Sequence, residues 1–150
     1  MKKIIEIGRG FASIKFGAEM TDVANYLGEP EEIINSGDSP NNVIAWHYWS
    51  HGYSIYFSEK DNYLFGSISI EDQSAVLYEK TIFNLSISGI KELFLKNGFK
   101  EFYEEKEDGR VNLVIRDAAS IAFYEKNGKL RSFDWFTYTD DDTDKTIWPK

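Results

Sequence analysis

An internal repeat constrains this chain more than any other feature of its sequence. The run from Ser54 to Lys60 (SIYFSEK) returns 66 residues later as the run from Ser120 to Lys126 (SIAFYEK). Upstream of these runs the spacing becomes 67, and three apolar positions recur: Phe16, Val23 and Leu27 align with Phe83, Ile90 and Phe94. Self-similarity at a fixed spacing indicates repeated supersecondary units. We therefore expect one domain made of two tandem repeats, at about residues 14–70 and 82–137.

Each repeat has the pattern of one helix followed by four strands. Thr21–Gly28 and Ser88–Gly98 place apolar residues four apart and end in glycine, which predicts two short helices. Alternating runs follow each helix, separated by short segments rich in turn formers. Connections this short favour antiparallel pairing. The predicted strands are 31–35, 43–49, 53–58 and 63–70 in the first repeat, and 100–105, 110–116, 120–125 and 130–137 in the second.

The run from Ile14 to Pro30, with Val23, Leu27, Gly28 and Pro30 at matching positions, resembles two kinds of module. These are the β-lactamase-inhibitor-protein-like modules and the outer-membrane-assembly lipoproteins of the SmpA/OmlA type. The resemblance implies two half-sheets side by side, helices on one face and a concave aromatic face that grips a partner enzyme. In size, acidity and tandem plan the chain is also similar to small cytoplasmic immunity proteins of bacterial toxin loci.

The fold class that follows is α+β: two α-β4 repeats forming one curved antiparallel sheet, with helices packed on one face. The 150 residues are 42% hydrophobic and contain no cysteine, which excludes disulfide frameworks and thiolate chemistry. A formal net charge of −8 repels phosphate backbones and anionic lipids, so neither nucleic acid nor a membrane is an expected partner. Glu6 and Arg9 interrupt any apolar leader, and we expect a cytoplasmic protein.

Aromatic residues make up 16% of the chain, and strand alternation predicts where they point. One parity, with Ile55, Phe57, Ile121 and Phe123, forms the core beneath the helices. The opposite parity mixes tyrosine, phenylalanine and serine, which is typical of a binding surface; β-propensity and cross-strand pairing are an alternative explanation. The predicted partner-binding residues are His47, Trp49, Tyr56, Phe65, Tyr124, Asp134, Phe136 and Tyr138.

Motifs for catalysis or metal binding are weak. His47 and His51 are four apart, but they lie in a strand that runs into a turn and have no third ligand nearby in the sequence. The acidic run 140–144 lacks the glycine and terminal glutamate of a calcium loop and is typical of a solvated tail. There is no nucleophile elbow and no phosphate-binding loop. We expect no catalytic residue, no metal and no cofactor.

The function predicted from these observations is that of a non-catalytic protein-binding protein. Its most specific form is an immunity or antitoxin protein that binds and blocks a partner toxin or enzyme through the open sheet face. Its acidic side chains would meet a cationic cleft if the partner is a basic toxin domain such as a nuclease. The alternative is a small-molecule-binding or enzymatic α+β domain whose sheet curls around an aromatic-lined pocket.

Overall fold

Two short helices and one large antiparallel sheet organise the chain. The computed structural model describes residues 3–150, and it shows a mixed α+β fold. The helices are α1 (Met20–Leu27) and α2 (Ile87–Lys96). In chain order the strands are β1 (Ile5–Glu6), β2 (Gly10–Phe11), β3 (Ile14–Lys15), β4 (Glu32–Ser36), β5 (Val43–Tyr48), β6 (Tyr53–Ser58), β7 (Phe65–Ile70), β8 (Val76–Leu77), β9 (Lys80–Thr81), β10 (Phe102–Glu107), β11 (Arg110–Ile115), β12 (Ile121–Lys126), β13 (Lys129–Phe136), β14 (Tyr138–Thr139) and β15 (Thr146–Ile147).

The large sheet has eight strands in the order β10-β11-β12-β13-β7-β6-β5-β4. Strands β4 to β7 pair consecutively, and so do β10 to β13, as the short turn-rich connections predict. The two series meet in the middle, where β7 and β13 pair antiparallel. The large antiparallel sheet and the two helices predicted from the sequence are therefore confirmed.

The helices begin and end close to the predicted positions because their boundary residues act locally. The backbone N–H of Gly28, at φ 86, donates to the Ala24 carbonyl and ends α1. At the start of α2, the Ser86 hydroxyl accepts a hydrogen bond from the Gly89 N–H at 3.1 Å. No helix among residues 3–150 has the length and apolar character needed to cross a membrane.

The core lies between the helices and one face of the sheet. Val23 of α1, with Ile90 and Phe94 of α2, is fully buried against strand side chains of a single parity. The rings of Phe94 and Phe123, for example, lie edge to face at 5.8 Å. This buried parity includes Ile55 and the other strand residues that alternation assigned to the core.

Phe65 is a correction to the predicted binding surface. Its side chain is 0% exposed and packs against Phe16, with ring centroids 4.8 Å apart. The cause is a β-bulge: Tyr56 pairs with Ser67, whereas Phe57 pairs with Phe65, so Gly66 is an extra residue in β7. One inserted residue reverses the parity beyond it, and Phe65 therefore faces the core.

In the part of the chain that the structure describes, three small sheets accompany the large sheet, formed by β1 to β3, by β8 and β9, and by β14 and β15. Strands β1 to β3 form one of them, and the indole N–H of Trp135 in the large sheet donates to the Gly10 carbonyl at 3.1 Å. Strands β14 and β15 form a hairpin, and the Thr137 hydroxyl next to it donates to the Ile147 carbonyl. None of these small sheets is predicted from the sequence, because strands of two residues are too short to show alternation.

Candidate binding surface on the open sheet face

The face of the large sheet opposite the helices, here called the open face, carries a row of polar side chains. His47 on β5, Ser54 on β6, Ser69 on β7 and Asp134 on β13 are successive cross-strand partners. Neighbouring strands lie about 4.8 Å apart, so the row spans roughly 14 Å across the middle of the sheet. Ser69 and Asp134 of this row are partly exposed, whereas His47 and Ser54 are buried.

Two shallow grooves lie over this row. The central groove has a volume of about 430 Å³, and the C-terminal hairpin bounds it through Thr139 and Thr146. The Trp49 groove is smaller, about 190 Å³, and lies beside it. Tyr56 and Ser69 line both grooves, so they form one surface with two depressions. Tyr56, Ser69, Asp134 and Phe136 line the central groove, and His47, Trp49, Ser54 and Glu71 line the Trp49 groove.

Trp49 is the most exposed aromatic side chain on this surface, at 54%. It follows β5 in a short 3-10 turn, and its ring stacks on His47 with centroids 4.1 Å apart. Its indole N–H donates to the Glu32 carboxylate at 3.0 Å. The side chain is therefore held in one orientation while about half of it stays exposed to solvent, which lowers the entropy lost on binding.

Tyrosine hydroxyls reach the polar row from both sides. The Tyr56 hydroxyl lies 3.1 Å from the Ser69 hydroxyl, and the Tyr124 hydroxyl donates to the Asp134 carboxylate at 3.0 Å. Burial raises the pKa of Asp134 above its usual range, and the hydrogen bond from Tyr124 partly offsets this. Burial and the neighbouring Asp134 charge raise the pKa of Tyr124 to about 12. At neutral pH Tyr124 is therefore a hydrogen-bond donor to the carboxylate.

The raised pKa of Asp134 predicts a pH dependence of stability. An acid with a higher pKa in the folded than in the unfolded state binds more protons when folded, so its contribution to stability falls as pH rises. We expect the wild type to lose free energy of unfolding, relative to Asp134→Asn, as the pH rises. The loss should begin at about pH 3.8, the ordinary pKa of an aspartate, and end above the raised pKa of Asp134. Above that pKa the difference should be constant. Urea unfolding of both proteins across this range measures it.

Tyr124→Phe is the matched variant for this measurement. It removes the hydrogen bond that lowers the pKa of Asp134, so the pH interval over which stability falls should extend upward. The free energy of unfolding of the wild type minus that of Asp134→Asn should fall with pH. A difference that is constant or that rises with pH would contradict a raised pKa of Asp134.

The structure brings together most of the predicted partner-binding residues. Tyr56, Asp134 and Phe136 line the central groove, while His47 and Trp49 lie in the adjoining groove. His47 itself is buried beneath Trp49, and its Nδ1 lies 2.7 Å from the Ser54 hydroxyl oxygen. It supports the surface rather than presenting its own ring to solvent.

Tyr138 lines neither of the two grooves, but it lines a neighbouring depression together with Phe136. Strand β13 ends at Phe136, and Tyr138 pairs instead with Ile147 in the C-terminal hairpin. Its ring packs over Gly8, which has a φ of 67 and no room for a side chain. Tyr138 follows the end of β13, and the alternation of side chains between the two faces of a sheet does not apply beyond the strand.

Three groups on this surface were not among the predicted residues. Ser54 and Ser69 belong to the polar row, and Glu32 holds Trp49. The two serines were detectable, since each lies between two buried apolar residues of its strand: Ser54 between Tyr53 and Ile55, and Ser69 between Ile68 and Ile70. Glu32 was not, because its contact with Trp49 depends on the pairing of β4 with β5 and on the 3-10 turn.

Charge is unevenly distributed over the open face. Around Tyr124, in the half formed by β10 to β13, a shallow depression is lined by Arg110, Lys126 and Arg131 together with Glu125. The half around Trp49 has the carboxylates Glu32 and Glu71 at its grooves. The half around Tyr124 therefore carries both signs of charge, with Glu105 and Glu107 beside Arg110 and Lys126, whereas carboxylates border the Trp49 groove.

His47 and Ser54 are two residues of this surface whose chemical types could support catalysis. The His47 and Ser54 side chains are within hydrogen-bonding distance, but both are buried, and Ser54 lies on a regular strand rather than on an exposed turn. A serine nucleophile needs an accessible oxygen, which this pair lacks. Among residues 3–150, no three His, Asp or Glu side chains are grouped so that they could hold a metal ion.

Comparison with protein-family models, with curated proteins and with solved structures finds no match for this chain. A function for this chain must therefore be inferred from the arrangement of residues on the open face.

Proposed function

We propose that this protein is a non-catalytic binding protein of the immunity or antitoxin type, which blocks a partner toxin or enzyme through its open sheet face. The observation that carries the proposal is the exposure and fixed orientation of Trp49 beside two shallow grooves. Tryptophan and tyrosine dominate the energetics of protein interfaces when they stand next to depressions that exclude water. Trp49, Tyr56 and Phe136 have this arrangement.

The two-repeat architecture is part of the proposal. Each helix precedes four consecutively paired strands, and each four-strand series contains a bulge between its third and fourth strands. The residue just before each bulge is a tyrosine that pairs with a serine on the next strand. Tyr56 pairs with Ser67, and Tyr124 pairs with Ser132. This correspondence of pairing supports two equivalent units, at about residues 14–70 and 82–137, that share one core.

The proposed equivalence also accounts for the symmetry of the open face. Tyr56 reaches Ser69, and Tyr124 reaches Asp134, from corresponding positions on β6 and β12. In tandem modules of the β-lactamase-inhibitor type, two half-sheets lie side by side and present one face to an enzyme. The order of helices and strands here supports that likeness, and with it an inhibitory role.

The proposed partner is a protein with a cationic surface. The carboxylates Glu32 and Glu71 lie around the Trp49 groove, and the chain has a net charge of −8. Such fields accelerate association with basic partners and disfavour acidic ones. A basic toxin domain that meets its immunity protein in the cytoplasm fits these properties.

A second candidate function is small-molecule binding, and the volume of the central groove favours it. Sites for drug-sized ligands occupy about 300–1,000 Å³, and the groove measures about 430 Å³. Its polar lining includes Asp134 and Lys60, which have opposite charges. A ligand of this kind would require Tyr56 and Asp134 but not Trp49, which lines only the adjoining groove.

Site-specific photo-crosslinking in the native cell tests the proposal. A benzophenone amino acid is placed at Phe136 on the open face and, as matched controls, at Tyr26 and Leu95, which are exposed on the two helices. We expect one basic protein to be captured at position 136 and not at positions 26 or 95. Capture of the same protein at all three positions, or of none at 136, would count against the open face as the binding surface.

A further inference from the structure

The edge strand β4 is unusually open for a strand that forms the end of a sheet. All five of its residues are exposed, with Ile33 at 54% and Ile34 at 39%. It pairs with β5 on one side, and no other strand among residues 3–150 pairs with it on the other. An unprotected edge presents unpaired backbone N–H and C=O groups that can accept another strand.

The opposite edge of the same sheet is protected. Strand β10 carries four charged residues among its six, Glu104, Glu105, Lys106 and Glu107. Charged side chains along an edge hinder strand addition. Strand β4 carries one, Glu32 at its beginning, and that carboxylate is engaged by Trp49. The two ends of the sheet are thus different, and only β4 is suited to accept a strand.

The charge around β4 determines what kind of strand would fit. The sequence contains no Lys or Arg between Lys15 and Lys60, a segment that includes α1, β4, β5 and β6. It contains seven carboxylates: Glu19, Asp22, Glu29, Glu31, Glu32, Asp38 and Glu59. None of the seven forms an ion pair with another of residues 3–150. Glu31 and Glu32 accept hydrogen bonds from Ser50 and Trp49, which are neutral donors, so their charges remain uncompensated.

We propose that β4 binds an extended segment of a cationic partner protein, which adds a ninth strand to the sheet. Carboxylates before and after the two isoleucines, at Glu31 and Asp38, are positioned to meet basic residues at both ends of such a segment. A second copy of this chain fits poorly, because pairing β4 with β4 would bring two uncompensated acidic edges together. Strand β4 adjoins the Trp49 groove through Glu32, but its free edge is not part of either groove, so the inference goes beyond the proposed function and does not depend on it.

Short peptides test this inference with the intact protein. The probe is the capped hexapeptide Lys-Thr-Val-Ile-Thr-Lys, and its two controls are the same peptide with Glu in place of Lys and the Lys peptide with alternate N-methylated amides. We expect the Lys peptide to slow hydrogen exchange of β4 amides and to bind at least about fivefold more tightly than the Glu peptide at low salt. This preference should shrink in about 0.5 M sodium chloride. Ile34→Lys should abolish binding, whereas Tyr103→Lys, on the opposite edge, should leave it unchanged.

Three outcomes would overturn the inference. Equal binding of the N-methylated peptide would mean that only charge attraction is measured, without strand pairing. Peptide-induced shifts confined to Trp49 and Phe136 would place the binding on the grooves instead of the edge. Sedimentation of the protein alone as a dimer that Ile34→Lys dissociates would identify the occupant as a second copy. In each case the proposed role of the open face would still be tested separately by the crosslinking experiment.

Discussion

Replacing Trp135 by alanine is expected to lower the free energy of unfolding by about 3–5 kcal/mol, the range for large aromatic side chains removed from cores. Trp135 is 0% exposed and is the largest of the fully buried side chains. Its ring lies 5.4 Å from that of Phe133 and 5.8 Å from that of Phe11. Urea unfolding of the variant and the wild type, followed by circular dichroism, measures the difference.

The size of this effect follows from the position of Trp135 in the structure. It lies on β13, next to β7, where the two four-strand series meet. Its indole N–H is also the donor to Gly10, which joins β2 to the large sheet. The alanine variant therefore leaves a cavity and removes the donor from a buried carbonyl. Since folded domains are stable by only about 5–15 kcal/mol, it should unfold readily on warming.

Two further variants separate these contributions. Trp135→Phe retains most of the apolar contact but removes the hydrogen bond, and it should lower the free energy of unfolding by about 1–3 kcal/mol. Trp49→Ala removes a tryptophan that is mostly exposed, and it should change stability by less than about 1 kcal/mol. A Trp135→Ala loss no larger than that of Trp49→Ala would contradict the assignment of Trp135 to the centre of the core.

Much of the fold was predictable because the periodic patterns and turn signals are local. The predicted helices 21–28 and 88–98 correspond to Met20–Leu27 and Ile87–Lys96, and the strand predicted at 53–58 has the observed bounds. Glycine at a helix end and turn formers between alternating runs act over a few residues. Such signals determine element boundaries without reference to the rest of the chain.

The positions of Phe65 and Tyr138 could not be predicted, because they depend on interactions between strands. Nothing in the alternation of β7 shows that Gly66 is an inserted residue, and only its pairing with β6 reveals the bulge. Strand pairing also aligns the two proposed repeats differently from sequence similarity. Strand pairing matches Tyr56 with Tyr124, 68 residues later, whereas sequence similarity matches Tyr56 with Ala122. Register is a property of two strands, and a single strand does not specify it.

The candidate site was predictable only where alternation within one strand decides which face a side chain occupies. Alternation places His47 on the open face, where it lines the Trp49 groove, and its strand neighbours Trp46 and Tyr48 are buried in the core. It could not reveal that Trp49 leaves the strand and folds back over His47. That geometry depends on the 3-10 turn and on the hydrogen bond to Glu32 from another strand. The most exposed anchor of the surface is thus oriented by a contact that no local pattern encodes.

Alanine variants of the open-face anchors should have the largest effects on binding to the protein captured at position 136. Trp49→Ala and Phe136→Ala are each expected to weaken binding by at least about 2 kcal/mol, or about 30-fold, the level that defines an interface hot spot. Trp49 offers a large ring already held by His47 and Glu32, so little side-chain entropy is lost when a partner covers it. Isothermal titration calorimetry with purified proteins measures the affinities.

Tyr26→Ala and Leu95→Ala provide the matched comparison, because these helix side chains are about as exposed as Trp49 but lie on the opposite side of the sheet. We expect both to bind with wild-type affinity. Glu32→Ala should fall in between, since it frees the Trp49 indole without removing the ring. If variants of Trp49, Phe136, Tyr56 and Asp134 all bind as tightly as the wild type, the open face is not the binding surface. If only variants of Tyr56 and Asp134 lose affinity, the contact lies in the central groove alone, as small-molecule binding requires.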